Sequence, residues 1–364
     1  MNIFYMASGV FNHGCGISQY NRDFLMGLDA CDKVSLVNLL VRLPPKTTEG
    51  LNYSKKIKLS RQSYRGKISF FVESLKFLSI FRKVDLIICA HVNLLPIAYF
   101  MAKLKKATLC LIIYGEEVWD THEKFIYRAL IKRINFLISI SNYTKNKFCQ
   151  WAGEKKGYIL NNPIDLQRFT MGTKNISLMK RYGVAYHQKV IISLCRLASC
   201  HQYKGIDQVI DVFNKLLCKN KNILYLVAGE GDDRKRLEAK VKKNNLANYI
   251  KFIGFLPESE KVDFYRLADV FAMPGRGEGF GYVYLEAIAC GVTTIGSTLD
   301  ASREALQEGR LGFLVNPDNQ EELIEAIQAA LLQNNKRPEG IYRFANKNFY
   351  ISVNKIMRDI YQSI

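Results

Sequence analysis

Residues 270–291 read VFAMPGRGEGFGYVYLEAIACG and combine an apolar run, a glycine-rich turn and a helical pattern. Residues 270–273 form an apolar run typical of a buried strand, and a helical pattern begins after Gly281. The glycines between them permit a tight turn and leave backbone N–H groups uncovered at the start of the helix, where they can bind a phosphate. The stretch therefore predicts a strand–loop–helix unit of an α/β sheet with an anion site.

The same alternation of short apolar runs and amphipathic segments fills the rest of the chain. Strands are predicted near 2–7, 34–41, 84–89, 107–113 and 136–140, and again near 189–194, 223–228, 249–253, 269–273, 292–296 and 312–315. A polar turn at residues 161–165 separates the two series. We therefore expect two doubly wound parallel-sheet domains, residues 1–165 and 166–344, with the active site in the crevice that their strand ends face. A helical pattern at about 345–364 follows no further strand.

Composition fits a reduced, globular protein of two domains. The chain has 364 residues, of which 48% are hydrophobic and 23% charged. Its nine cysteines are odd in number, include no C-x-x-C pair and mostly lie in apolar runs, so we expect reduced cytosolic core residues. No signal peptide or membrane span is predicted, which favours a cytoplasmic location.

The net charge of +19 is unevenly distributed. Residues 1–170 carry 25 Lys and Arg against 12 Asp and Glu, a net +13, whereas residues 171–364 carry 27 against 21, a net +6. The first half is therefore suited to an anionic partner, such as nucleic acid, an acidic membrane or a phosphate-bearing substrate. No nucleic-acid-binding module is recognisable, so we expect no nucleic acid.

Two glutamates in residues 270–291 stand eight positions apart and could together hold both ends of a nucleotide-sugar. Glu278 lies in the glycine turn and Glu286 lies eight positions later, inside the helix. A carboxylate ahead of the phosphate cradle can reach sugar hydroxyls, and one within the helix can accept both hydroxyls of a ribose. The alternative is that Gly279 and Gly281 are plain turn glycines and Glu286 a solvated helix carboxylate.

A second loop carries two cations. Arg196 follows the strand at 189–194, and Lys204 with Gly205 opens the next helix. A diphosphate leaving group gathers negative charge as a glycosidic bond breaks, and Arg and Lys stabilise that charge. The alternative is a pair of surface cations, and His201 between them is interpreted as a solvated loop residue.

The second half resembles the retaining nucleotide-sugar glycosyltransferases of the GT-B fold, family 4, also called glycosyl transferases group 1. Their E-x7-E element corresponds to Glu278 and Glu286, and their Arg…Lys-Gly element to Arg196, Lys204 and Gly205. Further motifs similar in type and order are Gly229-Glu230-Gly231 and the stretches 252–255 and 265–270. The resemblance implies two Rossmann-like domains facing a central cleft, with the C-terminal helix returning to the N-terminal acceptor domain. It also implies a second, donor domain in which Gly254, Phe255, Gly279, Phe280, Gly281 and Glu286 bind the nucleotide-sugar.

The first half matches this family more weakly. Gly14-Cys15-Gly16 resembles the glycine loop after the first strand, with Cys15 in place of a glycine, and the resemblance assigns Gly16 to the donor. Residues 113–119 resemble the segment that carries a His-Gly pair, with Tyr114 in place of the histidine. The acceptor-side candidates are therefore His91, Tyr114 and Glu117. The alternative is that His91 is a core histidine whose hydrogen bonds are satisfied within the protein.

The resemblance implies a retaining transferase that moves a hexose-type sugar from a nucleotide-diphosphate sugar to a saccharide or polyprenyl-diphosphate-linked acceptor, in bacterial surface polysaccharide synthesis. No D-x-D motif occurs, so we expect neither a metal nor another cofactor. With no second family-matched carboxylate for a double displacement, a front-face reaction is favoured, in which the departing phosphate deprotonates the acceptor. A GT-B sugar-nucleotide epimerase and a basic binding or partner protein without activity are the alternatives.

A basic run precedes an aromatic-rich helical segment in the first half. Seven Lys and Arg lie between residues 46 and 67 against Glu49 alone, and the helical segment covers residues 68–81. Such a pair can bind an anionic membrane surface, which favours a peripheral position on the inner face of the cytoplasmic membrane. The alternative is a Rossmann helix beside a solvated basic loop.

Overall fold

The computed structural model describes residues 1–11, 15–43, 55–60, 67–80, 83–119 and 125–364. These residues divide into two compact units. The N-terminal unit is Met1–Pro163 together with Asn346–Ile364, and the C-terminal unit is Ile164–Ala345. The sequence-based boundary at residue 165 lies close to this division.

The N-terminal unit is built on a parallel sheet of seven strands in the order β3-β2-β1-β4-β5-β6-β7. The strands are β1 Asn2–Ala7, β2 Leu36–Val41, β3 Ile57–Leu59, β4 Leu86–Ala90, β5 Thr108–Ile113, β6 Phe136–Ser139 and β7 Gly157–Ile159. The helices of this unit are α1 Gly16–Asp29, α2 Lys67–Ile80, α3 Leu95–Lys105, α4 Phe125–Ile131 and α5 Asn142–Ala152. Because strands β1 and β4–β6 are almost wholly buried, their apolar runs form the core of this unit.

Strands β3 and β7 are absent from the sequence-based prediction. Each has three residues and lies at an edge of the sheet. Gly14, residues 46–54 and 61–66 of the basic run, and residues 81–82 lie outside the described residues. Lys55, Lys56 and Lys58 of the basic run are described, and Lys58 lies in β3 rather than in a loop.

The C-terminal unit has the same architecture, with a six-stranded parallel sheet in the order β10-β9-β8-β11-β12-β13. Its strands are β8 Lys189–Leu194, β9 Ile223–Ala228, β10 Ile250–Gly254, β11 Val270–Ala272, β12 Thr293–Ser297 and β13 Phe313–Val315. Its helices are α6 Ile176–Tyr182, α7 Ile206–Lys219, α8 Arg234–Lys243, α9 Lys261–Leu267, α10 Tyr282–Ala289, α11 Ser302–Ala305 and α12 Gln320–Leu332. Helix α7 buries Val209, Phe213 and Leu216 at helical spacing, as its amphipathic pattern predicts.

The last helix, α13 (Asn346–Gln362), belongs to the N-terminal unit and packs against α1. A Cβ at Gly27 would lie 2.9 Å from Val353 Cγ2, so glycine permits this close contact. The rings of Tyr20 and Phe349 meet edge to face at 5.7 Å. The C-terminal helix therefore returns to the first domain, as the predicted fold requires.

The cysteines fit the prediction only in part. All nine are free thiols, and Cys31, Cys89, Cys110 and Cys290 are buried. Three others, Cys15, Cys200 and Cys218, are exposed, so the interpretation of the set as core residues is wrong for these. Within the described residues, none of the helices combines the length and apolar character needed to cross a bilayer.

Candidate active site

Two loops at one edge of the C-terminal sheet carry the residues predicted to be catalytic. The first follows β8 and contains Arg196 and Lys204, and the second follows β11 and contains Glu278. Strands β8 and β11 are neighbours, and the strand order reverses between them. Ligands of open α/β sheets bind beyond the carboxyl ends of the strands at such a switch point. The topology therefore places both loops where a ligand of this unit is expected.

The two loops touch through their backbones. The N–H of Arg276 donates to the carbonyl of Tyr203 at 2.9 Å. Gly205 has a φ of 86°, and a Cβ there would lie 2.6 Å from the carbonyl oxygen of Pro274. A Cβ on Gly277 would lie 2.5 Å from the Tyr203 ring. Glycine is thus required in both loops for them to approach each other.

Lys204 and Glu278 form an ion pair across this contact. Lys204 Nζ donates to Glu278 Oε2 at 2.8 Å, and the two side chains are only 19% and 18% exposed. The ammonium also lies 5.2 Å from the centre of the Tyr203 ring. A partly desolvated pair interacts more strongly than an exposed one. The site therefore holds a cation and a carboxylate side by side.

Arg196 lies in the same cluster and is exposed. Its Nη2 lies 3.2 Å from Nδ1 of His201. The expectation that His201 is a solvated loop residue is wrong, because the ring is half-buried and packs 5.5 Å from the Tyr203 ring. Partial burial, together with the charges of Arg196 and Lys204, lowers the pKa of His201. Both predicted cations therefore act on one imidazole.

The Gly229-Glu230-Gly231 motif supports the backbone beside Arg196. The N–H of Leu197 donates to the carbonyl of Glu230 at 3.0 Å. A Cβ on Gly231 would lie 1.8 Å from the carbonyl oxygen of Leu197, a distance at which the backbone would have to move. This motif therefore fixes the path of the first loop through close backbone contact.

Helix α10 begins directly after the second loop. Gly281 is its N-cap with a φ of 89°, and a Cβ there would lie 2.5 Å from the Tyr284 ring. Gly279 and Phe280 are buried, and the Phe280 ring packs against Phe344 with a centroid distance of 5.6 Å. The side chain of Phe280 thus packs in the core of the C-terminal unit. The first N–H groups of α10 lack acceptors within the helix, as the predicted phosphate cradle requires.

Glu286 is held by other side chains of the same unit. Lys261 Nζ donates to its two oxygens at 3.0 and 3.2 Å, and the Tyr265 hydroxyl donates to Oε2 at 2.7 Å. Because Glu286 is only 5% exposed, the alternative of a solvated helix carboxylate is wrong. A ribose at this position would share the carboxylate with Lys261 and Tyr265.

Gly254 and Phe255 lie at the end of β10, on the far side of β9 from β8. Gly254 has a φ of 80°, and its carbonyl accepts from the N–H of Gly229 at 2.8 Å. The side chain of Phe255 is 72% exposed. The two residues are therefore placed apart from the Lys204–Glu278 pair, at the same carboxyl edge of the sheet.

The N-terminal unit places His91 at its own switch point. His91 follows β4, which neighbours β1 where the strand order reverses, and its Nδ1 accepts from the N–H of Asn93 at 3.1 Å. Burial and the charge of Arg42 lower its pKa. Because Nδ1 accepts this hydrogen bond, the neutral imidazole of His91 carries its proton on Nε2. Gly16, in the same unit, begins α1 next to the exposed Cys15.

Tyr114 lies in the core of the N-terminal unit. Its hydroxyl is buried and donates to Asn21 Oδ1 at 2.7 Å, and Tyr5 donates to the same oxygen at 2.7 Å. Asn21 in turn donates to the carbonyl of Gly9 at 2.9 Å. The Tyr114 hydroxyl is thus committed to a core network that holds the loop after β1. The prediction that it faces an acceptor is not supported.

Glu117 closes the turn after β5. Its Oε1 accepts from the N–H of Tyr114 at 2.6 Å. Burial raises the pKa of the Glu117 carboxyl, although backbone N–H groups oppose the shift. This carboxylate therefore has a local structural partner.

Comparison with known proteins identifies the C-terminal unit. Residues 177–347 match the family described as Glycosyl transferases group 1. The C-terminal unit belongs to this family. Over 231 residues the chain is 27% identical to the O-antigen biosynthesis glycosyltransferase WclY of Escherichia coli, covering 63% of this chain and 62% of the relative. Over 171 residues it is 30% identical to a phosphatidyl-myo-inositol mannosyltransferase of Mycobacterium tuberculosis, covering 44% of each. The chain thus spans less than two thirds of the length of these curated relatives.

Solved structures resemble the fold of the chain over its full length. The structure of Anabaena Alr3699/HepE in complex with UDP matches with a TM-score of 0.78 at 18% identity, covering 100% of both chains. Sucrose-phosphate synthase from Thermosynechococcus elongatus matches with a TM-score of 0.76 at 17% identity, also over 100% of both chains. These matches confirm the predicted GT-B fold.

Three residues around the predicted site were missed from the sequence. Lys261 and Tyr265 hold Glu286, and Asp300 accepts from the backbone of Glu278 at 3.0 Å. The apolar helix end beside Glu286 indicates that this carboxylate needs a partner, but it does not identify one. Asp300 follows a different strand from Glu278 and belongs to none of the motifs quoted from the sequence.

Replacing Lys261 by methionine is expected to lower the free energy of unfolding by about 3 kcal/mol, because a buried carboxylate loses its cation. Burial alone would lower the pKa of Lys261, but the carboxylates of Glu286 and Glu258 outweigh it and raise the pKa. The stabilising pair is therefore complete below the ordinary lysine pKa and is lost as pH rises through the raised value. Urea unfolding at neutral pH measures the effect.

The matched control is Lys215→Met. Lys215 forms an ion pair with Glu321 in which both side chains are more than half exposed. Its removal is expected to change the free energy of unfolding by less than about 1 kcal/mol. Equal effects of the two substitutions would contradict the assignment of Lys261 as the partner that stabilises Glu286.

Proposed function

We propose that this protein is a retaining, metal-independent glycosyltransferase that moves a hexose-type sugar from a nucleotide-diphosphate sugar to a saccharide or lipid-linked acceptor. The observation that carries the proposal is the contact between Lys204 and Glu278 at the switch point of a group 1 domain. A lysine beside a glutamate is suited to a ligand with anionic and hydroxyl-bearing parts.

The expected chemistry divides between the two loops. Lys204 and Arg196 stabilise the diphosphate as the glycosidic bond breaks, and the N–H groups that begin α10 add fixed donors. Glu278 binds hydroxyls of the transferred sugar, and Glu286 binds the ribose. The cations take the role that a divalent metal has in other transferases, which supports metal independence.

A front-face reaction is favoured by the carboxylates near the site. A double displacement needs a carboxylate nucleophile at the anomeric carbon. The second carboxylate here, Asp300, is fully buried, and both of its oxygens accept hydrogen bonds within the protein. We therefore propose that the departing phosphate takes the proton of the acceptor hydroxyl, so that the anomeric configuration is retained.

The names of related proteins support the proposed substrates. HepE has been solved in complex with UDP and with UDP-glucose, and WclY is an O-antigen biosynthesis glycosyltransferase. A structural neighbour is the lipopolysaccharide outer core galactosyltransferase WaaB, with a TM-score of 0.74 at 16% identity. We propose that this protein likewise uses a nucleotide-sugar and acts in the cytoplasm on a saccharide or polyprenyl-diphosphate-linked acceptor of a bacterial surface polysaccharide.

A thermal-shift panel of UDP-glucose, UDP-galactose and GDP-mannose tests the proposal. A ligand that binds only the folded state at 100 times its Kd stabilises it by about 2.7 kcal/mol. We expect one donor of the panel to raise Tm and then to be consumed when a saccharide acceptor is added. The absence of a shift with every nucleotide-sugar contradicts the proposal. Conversion of the donor to an isomer without any acceptor would instead favour an epimerase.

Peripheral membrane association is the second part of the proposal. Helix α2 exposes Ile68, Phe71, Val72 and Leu75, and the neighbouring α3 exposes Phe100 and Leu104. Lys55, Lys58 and Lys76 of the same unit are also exposed. Apolar side chains with nearby lysines favour the surface of an anionic leaflet, where each cation contributes about 1 kcal/mol.

Flotation with vesicles of anionic or zwitterionic lipid at low salt tests the membrane contact. The protein is expected to float with anionic vesicles alone. The triple variant Lys55→Gln, Lys58→Gln, Phe71→Ser is expected to float less. Lys56 is left intact because its Nζ donates to the carbonyls of Asp29 and Cys31. Equal flotation of variant and parent, or no flotation of the parent, contradicts this part.

A further inference from the structure

Asp300 is a buried carboxylate beneath the second loop. It follows β12, which neighbours β11 in the sheet, and its side chain is fully buried. Oδ1 accepts from the N–H and the hydroxyl of Ser302 at 3.0 and 2.6 Å. Oδ2 accepts from the N–H of Glu278 at 3.0 Å. The carboxylate therefore joins the end of one strand to the loop that follows its neighbour.

The contact with Glu278 runs in both directions. The N–H of Ala301 donates to the carbonyl of Glu278 at 3.1 Å, so both peptide groups of Glu278 are bonded to residues 300–301. The Ser302 hydroxyl accepts from the N–H of Ser297 at 2.9 Å, and Ser297 is the last residue of β12. The backbone of Glu278 is thus anchored to the sheet through Asp300 and Ser302.

A carboxylate is an unfavourable choice for a merely structural link at this position. Burial raises the pKa of Asp300, and the charge of Glu278 adds to the rise, although hydrogen bonds from Ser302 and from the Glu278 backbone oppose it. An uncharged acceptor would avoid this repulsion between neighbouring acids. Groups that are unfavourable for stability concentrate at functional sites.

We propose that Asp300 is a positioning residue for the donor sugar, because it fixes the backbone of Glu278 and so directs the Glu278 carboxylate toward the sugar hydroxyls. The inference rests on the proposed function, which assigns Glu278 to the sugar. Asp300 itself touches no substrate. The ribose-binding candidate Glu286 has separate anchors in Lys261 and Tyr265. Asp300 therefore affects binding of the sugar part of the donor and leaves the nucleotide part unaffected.

The test compares Asp300→Asn with the parent protein by titration calorimetry. Each pair of probes is a nucleoside diphosphate and its nucleotide-sugar, either UDP and UDP-glucose or GDP and GDP-mannose. The pair that the parent protein binds is used for the variants. An asparagine amide can accept from Ser302 or from Glu278 but must turn its NH2 toward the other donors. The Kd of the nucleotide-sugar is expected to rise about tenfold through the loss of one charge-assisted hydrogen bond. The Kd of the nucleoside diphosphate is expected to change less than about twofold.

Ser302→Ala is the second variant, because it removes one donor to Asp300 and leaves the Glu278 contact in place. It is expected to raise the Kd of the nucleotide-sugar about threefold and to leave the Kd of the nucleoside diphosphate nearly unchanged. If Asp300→Asn does not fold, this variant tests the proposal. If both Kd values rise equally, or if neither rises, Asp300 is not a positioning residue for the donor sugar. A parent that binds no nucleotide-sugar overturns the proposed function itself, and the inference falls with it.

Discussion

Replacing Lys204 by methionine is expected to lower kcat/KM for sugar transfer about 10²- to 10³-fold. Methionine preserves much of the length of the side chain and removes only the charge. Lys204 is the partly buried cation of the site, 2.8 Å from Glu278, and we assign it to the departing diphosphate. Loss of one preorganised group that stabilises developing negative charge reduces rates by about this factor. The loss is expected in kcat as well as in kcat/KM, because the charge grows in the transition state.

Steady-state kinetics with the donor identified by thermal shift measure this effect. Lys189→Met is the matched control, since Lys189 lies at the start of β8, at the opposite end of the strand that leads to Arg196. It pairs with Asp269 at 3.0 Å and is 41% exposed. The control is expected to retain kcat/KM within about twofold. If the Lys204→Met variant retains half of the parental kcat/KM, Lys204 takes no part in the mechanism.

The ion pair between Lys204 and Glu278 affects how the proposed donor binds. The charge of Glu278 acts on the neighbouring Asp300, and Lys204 pairs with the Glu278 carboxylate at 2.8 Å. A donor diphosphate must therefore compete with Glu278 for the lysine. When Lys204 binds the diphosphate, the Glu278 carboxylate can accept hydrogen bonds from the sugar hydroxyls.

The alternation of strands and helices is predictable because local periodicity carries it. Strands β1, β8 and β9 begin and end at the predicted residues, since each is a buried apolar run bounded by polar turns. The edge strands β3 and β7 were missed. Each has three residues, and Lys58 within β3 is exposed, so neither differs in composition from a loop. Pairing with a neighbouring strand, and not local sequence, makes them strands.

The motifs of the site are predictable, but the contacts that support them are not. Glu278, Lys204 and Arg196 occur in patterns with fixed spacing, and the switch-point topology brings them together. Asp300 and Lys261 contact their partners from other elements, through the tertiary fold. The hydrophobic periodicity of the sequence does not predict contacts between separate elements. Tyr114 illustrates the opposite error, because its place in a motif suggests a ligand contact while its hydroxyl bonds to Asn21 in the core.

Replacing Glu278 by alanine is expected to reduce kcat at least about 10³-fold while the protein remains folded. The substitution removes the carboxylate proposed to bind the sugar hydroxyls, and it leaves Lys204 without the partner that orients it. Interactions that are strongest in the transition state affect kcat most. The backbone contacts of residue 278 with Asp300 and Ala301 do not depend on its side chain, so the loop is expected to keep its path.

Glu278→Gln separates the charge of this side chain from its shape. The amide keeps the length and one acceptor oxygen, so it can still bond to Lys204 and to a hydroxyl. We expect an intermediate loss in kcat of about 10²-fold, with the Kd of the nucleoside diphosphate within about threefold of the parent for both variants. Measured together, kcat and nucleotide Kd distinguish the possible roles. If the alanine variant transfers sugar as fast as the parent, Glu278 is not part of the mechanism. If the parent transfers no sugar and the variants bind nucleotide equally well, the chain is a partner protein that has kept the fold without the reaction.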